Sequence, residues 1–342
     1  MNIVLLFGGL GLALLIWFLV ERIRRRTHPV VGGIDRTKNL PHHQEVELYS
    51  NSFSHCSRKS RLVMAELDLS YRHHAIELIE TGWYQTISPA YLKINPAGLV
   101  PTLVHQGHPV YESDDILAYA QSLAGHDAPQ LVPEEAKQKR QMEQWLDFCA
   151  IVSDDPMGAM KSSAGSCIPG LTLPLFFTAI RYTPLRKILV GFLFHPDKKR
   201  PAMFTAAKLL GPQRMMNLKP VGEIMLASRD HMARHLVTLN EAIEASKGEW
   251  ILGDNYSLAD ISIGCLLLRL EETCWLAHFR QVLNIDALLE YYVAVQSRPS
   301  WQAAITAHAH PHIDQAQQDL AALVSGNPEL QELLYNEDEK AW

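Results

Sequence analysis

The stretch Asn95-Pro-Ala-Gly-Leu-Val-Pro-Thr-Leu-Val-His-Gln-Gly-His-Pro-Val-Tyr-Glu-Ser113 holds the strongest fold signals in the chain. Pro101 stands at the start of a short apolar run, where a strand tolerates proline and where a cis peptide bond makes a tight bend. Short strands are predicted over residues 102–105 and 109–111, joined by a tight turn at Gln106-Gly107. We therefore expect a hairpin that is entered through a proline bend.

The sequence on both sides of this hairpin completes a small domain. Residues 45–50 alternate polar and apolar side chains as a half-buried strand does, and residues 57–69 follow with a helical apolar face. A further strand is expected over residues 71–78, and a helix over residues 113–123. This order of strands and helices predicts one α/β domain covering residues 45–125.

The strand signal disappears after Gly125, and an all-helical domain is predicted over residues 126–315. Helical spacing runs through residues 133–150, 220–246 and 257–272. The sequence Tyr256-Ser-Leu-Ala-Asp-Ile261 predicts a capping box, with Ser257 as N-cap and Asp260 three residues later. Residues 316–342 are expected to form an acidic tail.

Residues 151–219 are too long for a simple connection and form a predicted apolar insertion. Its two apolar segments, 168–180 and 188–194, are each too short to cross a bilayer. They are flanked by cationic side chains: Arg181, Arg186, Lys187, Lys198, Lys199 and Arg200. Two interpretations stay open: a surface lying on lipid headgroups, or a helical hairpin packed on its own domain or on a second subunit.

The N-terminus predicts a single transmembrane helix, which would anchor the protein, over residues 1–26. Residues 3–20 contain no charged or strongly polar side chain and make about 27 Å of helix, close to one bilayer core. Arginines follow at Arg22, Arg24, Arg25 and Arg26, so the positive-inside rule places the rest in the cytoplasm. We expect a bacterial inner membrane, with a cytosol-facing organelle, a cleaved signal or a buried core helix as alternatives. Residues 27–44 are predicted to be a flexible linker.

Composition limits the function classes. The 342 residues include 47% hydrophobic residues, which favours two globular units, and the net charge of -6 provides no basic field for nucleic acid. The five cysteines form no CxxC pair and no Cys/His group of zinc type, so reduced thiols and no metal are expected. A nucleic-acid partner is therefore not expected.

Residues that could carry chemistry lie between the first strand and the first helix. A thiolate here would face the N-terminus of the helix, either that of Cys56 or that of a bound substrate hydrogen-bonded by Ser54. The alternative is that Ser54 or Ser57 merely caps the helix. Val100 would expose its backbone at the proline bend, and Glu112-Ser113 offers a carboxylate beside a helix N-terminus, which suits an α-amino acid headgroup.

These elements resemble the glutathione site of the cytosolic glutathione transferases, over roughly residues 45–310. The resemblance implies a glutathione transferase fold, with a thioredoxin-like N-terminal domain and an all-α C-terminal domain. It also implies that Ser54 hydrogen-bonds the sulfur of glutathione as co-substrate, with Cys56 as the rival nucleophile. Val100, beside Pro101, would pair with the cysteinyl backbone, while Glu112 and Ser113 would hold the γ-glutamyl end.

Within this superfamily the chain is most similar to the branch of ganglioside-induced differentiation-associated protein 1. The similar stretches are Ser52-Phe-Ser54, Arg61-Leu-Val-Met-Ala-Glu66 and Asp155-Pro-Met-Gly, followed by Cys167-Ile-Pro. One expectation is a membrane-anchored transferase that activates the glutathione thiol for conjugation or reduction of lipophilic electrophiles. The other is a non-catalytic membrane adaptor that binds lipid or protein, which Leu99, Asp114 and Asp115 favour. A homodimer is left open.

Overall fold

The computed structural model describes residues 2–125, 127–152 and 155–335, without the side chains of residues 2–6 and Pro156. The strands are β1 (Gly33–Ile34), β2 (Val46–Ser50), β3 (Arg72–Ala75), β4 (Thr102–His105) and β5 (His108–Tyr111). The helices of the first half are α1 (Asn2–Arg24), α2 (His55–Glu66), α3 (Ser113–Leu123), α4 (Ala136–Cys149), α5 (Pro156–Ala159), α6 (Ile168–Ala179) and α7 (Leu185–Phe194).

The remaining helices are α8 (Lys199–Leu210), α9 (Pro212–Met216), α10 (Lys219–Ala245), α11 (Leu258–Glu272), α12 (Trp275–Val282), α13 (Asp286–Ser297), α14 (Pro299–Ala304), α15 (Pro311–Ser325) and α16 (Pro328–Tyr335). Short 3-10 helices cover Gln85–Ile87, Tyr91–Lys93, Gly165–Cys167, Ile180–Tyr182 and Thr306–His308. The strands thus all precede residue 112, and helices make up the described chain beyond it.

The sheet has the strand order β1-β5-β4-β2-β3, with β2 and β3 parallel and the other pairs antiparallel. The interior strand β2, between β4 and β3, is buried along its whole length. The predicted hairpin is confirmed, and its turn residues Gln106 and Gly107 both have positive φ, as a two-residue hairpin turn requires. The Val100-Pro101 peptide is cis, and it leads the chain into β4.

The prediction that residues 27–44 form a flexible linker is wrong at β1. Gly33 pairs with Tyr111 and Ile34 with Val110, so the segment adds an edge strand to the sheet. Without it, β5 would present unpaired backbone groups at the edge. A two-residue strand carries no readable alternation, which is why only the sheet reveals this pairing.

The helical domain is organised around α11, which is buried on nearly all sides. The predicted capping box at its start is confirmed: the Ser257 N–H donates to Asp260 Oδ2 over 2.8 Å. Asp260 also accepts from the Tyr291 hydroxyl over 2.7 Å and from the Ile251 N–H over 3.0 Å. The cap therefore also ties α11 to α13 and to the preceding loop.

The two apolar segments of residues 151–219 have different surroundings. Helix α6 is buried around most of its circumference and packs on α10, α11 and α15, so it belongs to the core of its own domain. Helix α7 buries Ile188 and Gly191 but exposes Leu189, Phe192 and Leu193. Packing on its own domain is thus the correct interpretation for α6, because apolar side chains on every face of a helix require burial on every face.

Helix α1 packs on α7 through its C-terminal half. The rings of Trp17 and Phe18 lie 6.3 Å and 5.9 Å from the ring of Phe194. Among the residues that the structure describes, no helix combines the length and the apolar character needed to cross a membrane. The predicted anchor includes residues 3–6, whose side chains fall outside that description, and the described remainder includes Glu21, Arg22 and Arg24. The end of the predicted acidic tail, residues 336–342, also lies outside the described residues.

Candidate functional site

A cavity of about 510 Å³ lies where the two domains meet. Of the predicted site residues, Ser54, Cys56 and Val100 line it. The opposite wall comes from the helical domain, chiefly from Ile168, Pro169, Thr172 and Phe176 of α6 and from Arg269 of α11. The volume is within the range of small-molecule sites, and most of the lining is apolar.

Ser54 has two roles at the start of α2. It is the N-cap residue, and its Oγ accepts from the Ser57 N–H over 3.3 Å. Its own N–H donates to Asn51 Oδ1 over 3.1 Å, which fixes the loop before the helix. The capping interpretation is therefore confirmed, but because the hydroxyl still has its proton to donate, Ser54 can also hydrogen-bond an anion in the cavity.

Cys56 is half-buried on the first turn of α2. Burial raises the pKa of its thiol, while the Lys59 ammonium and the Ser113 hydroxyl oppose this rise. Lys59 is itself buried and lies 3.1 Å from Asp114 Oδ1. The net direction is upward, so Cys56 is mainly a neutral thiol at neutral pH, and a base must deprotonate it before it can act as a nucleophile.

The proline bend leaves the backbone of Val100 available. The neighbouring Leu99 carbonyl accepts from the Tyr91 hydroxyl over 2.5 Å and from Asn95 Nδ2 over 3.0 Å. Neither the N–H nor the carbonyl of Val100 has a hydrogen-bond partner within the described parts of the chain. An extended backbone in the cavity could pair with both groups as a strand does. Pro101 is buried behind this edge and does not line the cavity.

Glu112 and Ser113 lie outside the cavity. Glu112 has a φ of 63° and an exposed side chain. Partial desolvation of its carboxyl group and the nearby Asp115 and Asp114 raise its pKa. The N-terminal segment lies against this acidic corner, since a Cβ on Gly32 would lie 2.2 Å from Asp115 Oδ2 and 3.3 Å from Glu112 Cγ. Ser113 is in hydrogen-bond contact with Cys56, so the predicted γ-glutamyl subsite borders the cavity without forming part of its lining.

Several polar residues of the cavity were not predicted from the sequence: His55, Glu80, Tyr84, Arg200 and Arg269. Burial, together with Lys59, Arg269 and Arg58, holds the pKa of His55 well below its usual range, so this imidazole is neutral. Arg200 NH2 lies 2.5 Å from Glu80 Oε1. The sequence could have pointed to Arg269, since it is a cation inside the apolar run Cys265-Leu-Leu-Leu-Arg-Leu270.

No group of three His, Cys, Asp or Glu side chains is placed to hold a metal ion in residues 2–125, 127–152 and 155–335. The cavity offers the helix N-terminus at Ser54 and Cys56, the unpaired backbone of Val100 and an apolar wall. These features support chemistry on a sulfur atom against an apolar partner.

Comparison with known proteins gives matches in both domains. Residues 53–123 match the family model for the glutathione S-transferase N-terminal domain, and residues 225–306 match the model for the C-terminal domain. Glutathione S-transferase F10 of Arabidopsis thaliana is 24% identical over 206 residues, which cover 60% of this chain and 72% of that protein. Maleylacetoacetate isomerase of Dictyostelium discoideum is 35% identical over 100 residues, 28% of this chain and 44% of that protein.

Solved structures share the fold. The β-etherase LigF of Sphingobium sp. strain SYK-6 superposes with a TM-score of 0.60 at 17% identity, covering 77% of this chain and all of the other. Glutathione transferase F7 of Populus trichocarpa gives a TM-score of 0.52 at 17% identity, covering 77% of this chain and 99% of that one. The thioredoxin-like N-terminal domain and the helical C-terminal domain are those of this fold. Residues 53–123 and 225–306 are thus the two characteristic domains of the glutathione S-transferase superfamily.

Proposed function

We propose that the protein is a glutathione S-transferase that activates the thiol of glutathione and directs it at a lipophilic electrophile. The observation that carries this proposal is the single cavity lined by Ser54, Cys56 and the unpaired backbone of Val100, closed by the apolar wall of α6. The plant glutathione S-transferases to which the chain is similar support the same class of reaction.

The chemistry needs no group outside the cavity. Val100 pairs with the cysteinyl backbone of glutathione, which places the sulfur at the N-terminus of α2. The Ser54 hydroxyl donates to the thiolate, and the dipole of the helix stabilises the negative charge, while the thiol proton passes to solvent. The sulfur then forms a bond to the electrophilic carbon, whose leaving group departs with the bonding electron pair. Cys56 is the alternative nucleophile if the protein reduces the electrophile instead of conjugating it to glutathione.

Steady-state conjugation of glutathione to 1-chloro-2,4-dinitrobenzene tests the proposal. Ser54→Ala should lower kcat/KM by about 100-fold, because it removes the donor to the thiolate. Cys56→Ala is the matched variant on the same helix turn and should retain most of the activity. If Cys56→Ala loses more activity than Ser54→Ala, the chemistry belongs to Cys56. The absence of binding heat at millimolar glutathione, with no effect of Ser54→Ala, would contradict the proposal.

A second candidate function, the non-catalytic adaptor, is favoured by one observation. Gly32 lies against Glu112 and Asp115, so the N-terminal segment occupies the corner where the γ-glutamyl group was expected. An adaptor would retain the fold without binding glutathione at this corner. The same calorimetric titration decides between the two functions, since only the transferase needs glutathione to bind.

We also propose that α1 attaches the protein to a membrane, with the globular part in the cytoplasm of a bacterium. The support is the exposure of apolar side chains around the helix, including Phe7, Leu12, Ile16 and Val20. The exposed apolar side chains of α7 adjoin this surface through the Phe194 contacts. Similarity to the branch of ganglioside-induced differentiation-associated protein 1 and a homodimer both stay predictions.

A further inference from the structure

The guanidinium of Arg269, a residue that lines the cavity, has a nitrogen that makes no hydrogen bond with the described residues. The residue is 2% exposed and lies on α11 with its guanidinium Cζ 4.0 Å above the centre of the Phe53 ring. Its NH2 donates to the Phe53 carbonyl, directly before Ser54 in the chain. Its NH1, which is also buried, has no hydrogen-bond partner among the described residues. Arg269 is one of the residues that line the cavity, so its side chain borders the space that a ligand would occupy.

The charge around Arg269 is not balanced. Its nearest carboxylate is Glu272, with Nε 3.4 Å from Oε2. Glu272 already accepts hydrogen bonds from NH1 and NH2 of Arg58, over 2.7 Å and 2.5 Å. It also accepts one from Gln317 Nε2 over 3.0 Å. Two guanidiniums thus share one carboxylate. One buried positive charge is left without a counter-ion, which is costly unless a ligand supplies one.

The other charged groups of the cavity leave one positive charge in excess, although Glu80 is near enough to Arg269 to raise its pKa. Glu80 is paired with Arg200, so the two together are neutral. His55 is neutral, because burial and the neighbouring cations hold its pKa well below the usual range. Burial and Arg58 lower the pKa of Arg269 to about 10, which still leaves it protonated at neutral pH. The site therefore keeps its excess positive charge under ordinary conditions.

We propose that Arg269 recognises a carboxylate on the second substrate, so that the preferred electrophile is an apolar molecule with one carboxylate group. This inference rests on the proposed function, because it names the substrate class of the same cavity. The planar guanidinium suits a carboxylate, and the Phe53 ring and the α6 side chains cover the apolar remainder of the ligand. The carboxylate could also come from glutathione itself, and the experiment distinguishes these two sources.

The test compares two electrophiles that differ in one charge, 4-(bromomethyl)benzoate and its methyl ester. In each reaction the glutathione sulfur bonds to the benzylic carbon, bromide leaves with the electron pair of the C–Br bond, and the thiol proton goes to solvent. Each kcat/KM is divided by the rate constant of the same reaction without enzyme. The preference is the ratio of this value for the carboxylate to that for the methyl ester. We expect at least a tenfold preference for the carboxylate in the wild-type protein. A ratio of one or less would overturn the inference.

Two variants assign the preference to a residue. Arg269→Met should bring the ratio close to one, and Arg269→Lys, which keeps the charge, should restore part of it. The double variant Glu80→Gln with Arg200→Gln is the matched control, because it removes a neutral ion pair from the cavity, and it should leave the ratio in place. If Arg269→Met instead raises the KM for glutathione equally with both electrophiles, the carboxylate belongs to glutathione and the inference is wrong.

Binding without turnover separates this inference from the proposed function. Calorimetry with 4-methylbenzoate and its methyl ester measures carboxylate recognition when neither electrophile reacts. Tighter binding of 4-methylbenzoate, lost in Arg269→Met, would support the anion site even for a protein that does not conjugate glutathione. Equal or weaker binding of 4-methylbenzoate would exclude the site, whatever the catalytic result.

Discussion

Cys56 illustrates how local and tertiary effects oppose each other at one residue. The N-terminus of α2 and the Lys59 ammonium favour a thiolate, whereas burial between two domains favours the neutral thiol. Burial has the larger effect, and the pKa rises. The helix position alone, which is all that the sequence reveals, predicts the opposite direction.

Alkylation of Cys56 by iodoacetamide should therefore be slow at neutral pH. The thiolate is the reacting form, so with a raised pKa the rate should still be increasing above pH 9. Lys59→Met removes a cation that lowers the pKa and should slow the reaction further at pH 8. Peptide mass spectrometry measures the rate at Cys56, and Cys149, which is fully buried, is the internal control. A rate that reaches its plateau below pH 8 would contradict the raised pKa.

At the scale of elements, α7 is positioned by a close approach at Gly191. A Cβ at this position would lie 2.7 Å from the Tyr84 hydroxyl oxygen and 2.8 Å from Cβ of Pro201. Tyr84 lines the cavity, so the absence of a side chain at residue 191 lets α7 pack over the site. Glycine is needed here for space, not for its backbone freedom.

Gly191→Ala should destabilise the protein by about 1–3 kcal/mol, because overpacking outweighs the higher helix propensity of alanine. Gly222→Ala on α10 is the matched control, since a new Cβ there would lie 3.6 Å from the Met216 carbonyl oxygen, an ordinary contact. That variant should gain up to about 1 kcal/mol. Urea unfolding measures both free energies. Equal changes in the two variants would show that the Tyr84 contact has no effect.

At the scale of the whole molecule, charged pairs join the two domains. Arg298 donates to both oxygens of Glu66 over 2.7 Å and 2.6 Å, and its guanidinium Cζ lies 3.8 Å from the centre of the Tyr256 ring. Arg61 of α2 donates to the Ala304 carbonyl over 2.8 Å. These contacts fix the position of one cavity wall relative to the other, since each wall belongs to a different domain.

Membrane attachment is a prediction at this same scale. Full-length protein should sediment with vesicles of phosphatidylethanolamine and phosphatidylglycerol, because α1 exposes apolar side chains next to arginines. The double variant Leu12→Asp and Ile16→Asp should remain in the supernatant, since each carboxylate opposes burial in lipid by about 2.5–3.5 kcal/mol. Gln141→Asp with Gln144→Asp adds the same charge on exposed positions of α4 and should still sediment. Wild-type protein left in the supernatant would contradict the proposed attachment.

Much of the fold could be predicted from local patterns. Alternation and turn chemistry located β2, β4 and β5, and the Ser257-Asp260 spacing located the start of α11, because these signals lie within a few consecutive residues. The edge strand β1 could not be predicted in this way, since its two residues acquire a role only beside β5. The burial of α6 also escaped prediction, because the sequence does not distinguish an apolar helix in a protein core from one at a lipid surface.

The sequence by itself determined the order of the two domains and the position of Ser54 and Cys56 at the start of a helix. It also determined the bend at Pro101, where a cis peptide bond can form. Only the tertiary structure decided which of these residues share a cavity: Ser54, Cys56 and Val100 do, whereas Glu112 lies outside it, beside Gly32. Tertiary structure also placed Arg269, more than 200 residues away in the chain, beside the Phe53 carbonyl. The physical reason is that burial, charge balance and pKa depend on neighbours in space, which local sequence patterns do not specify.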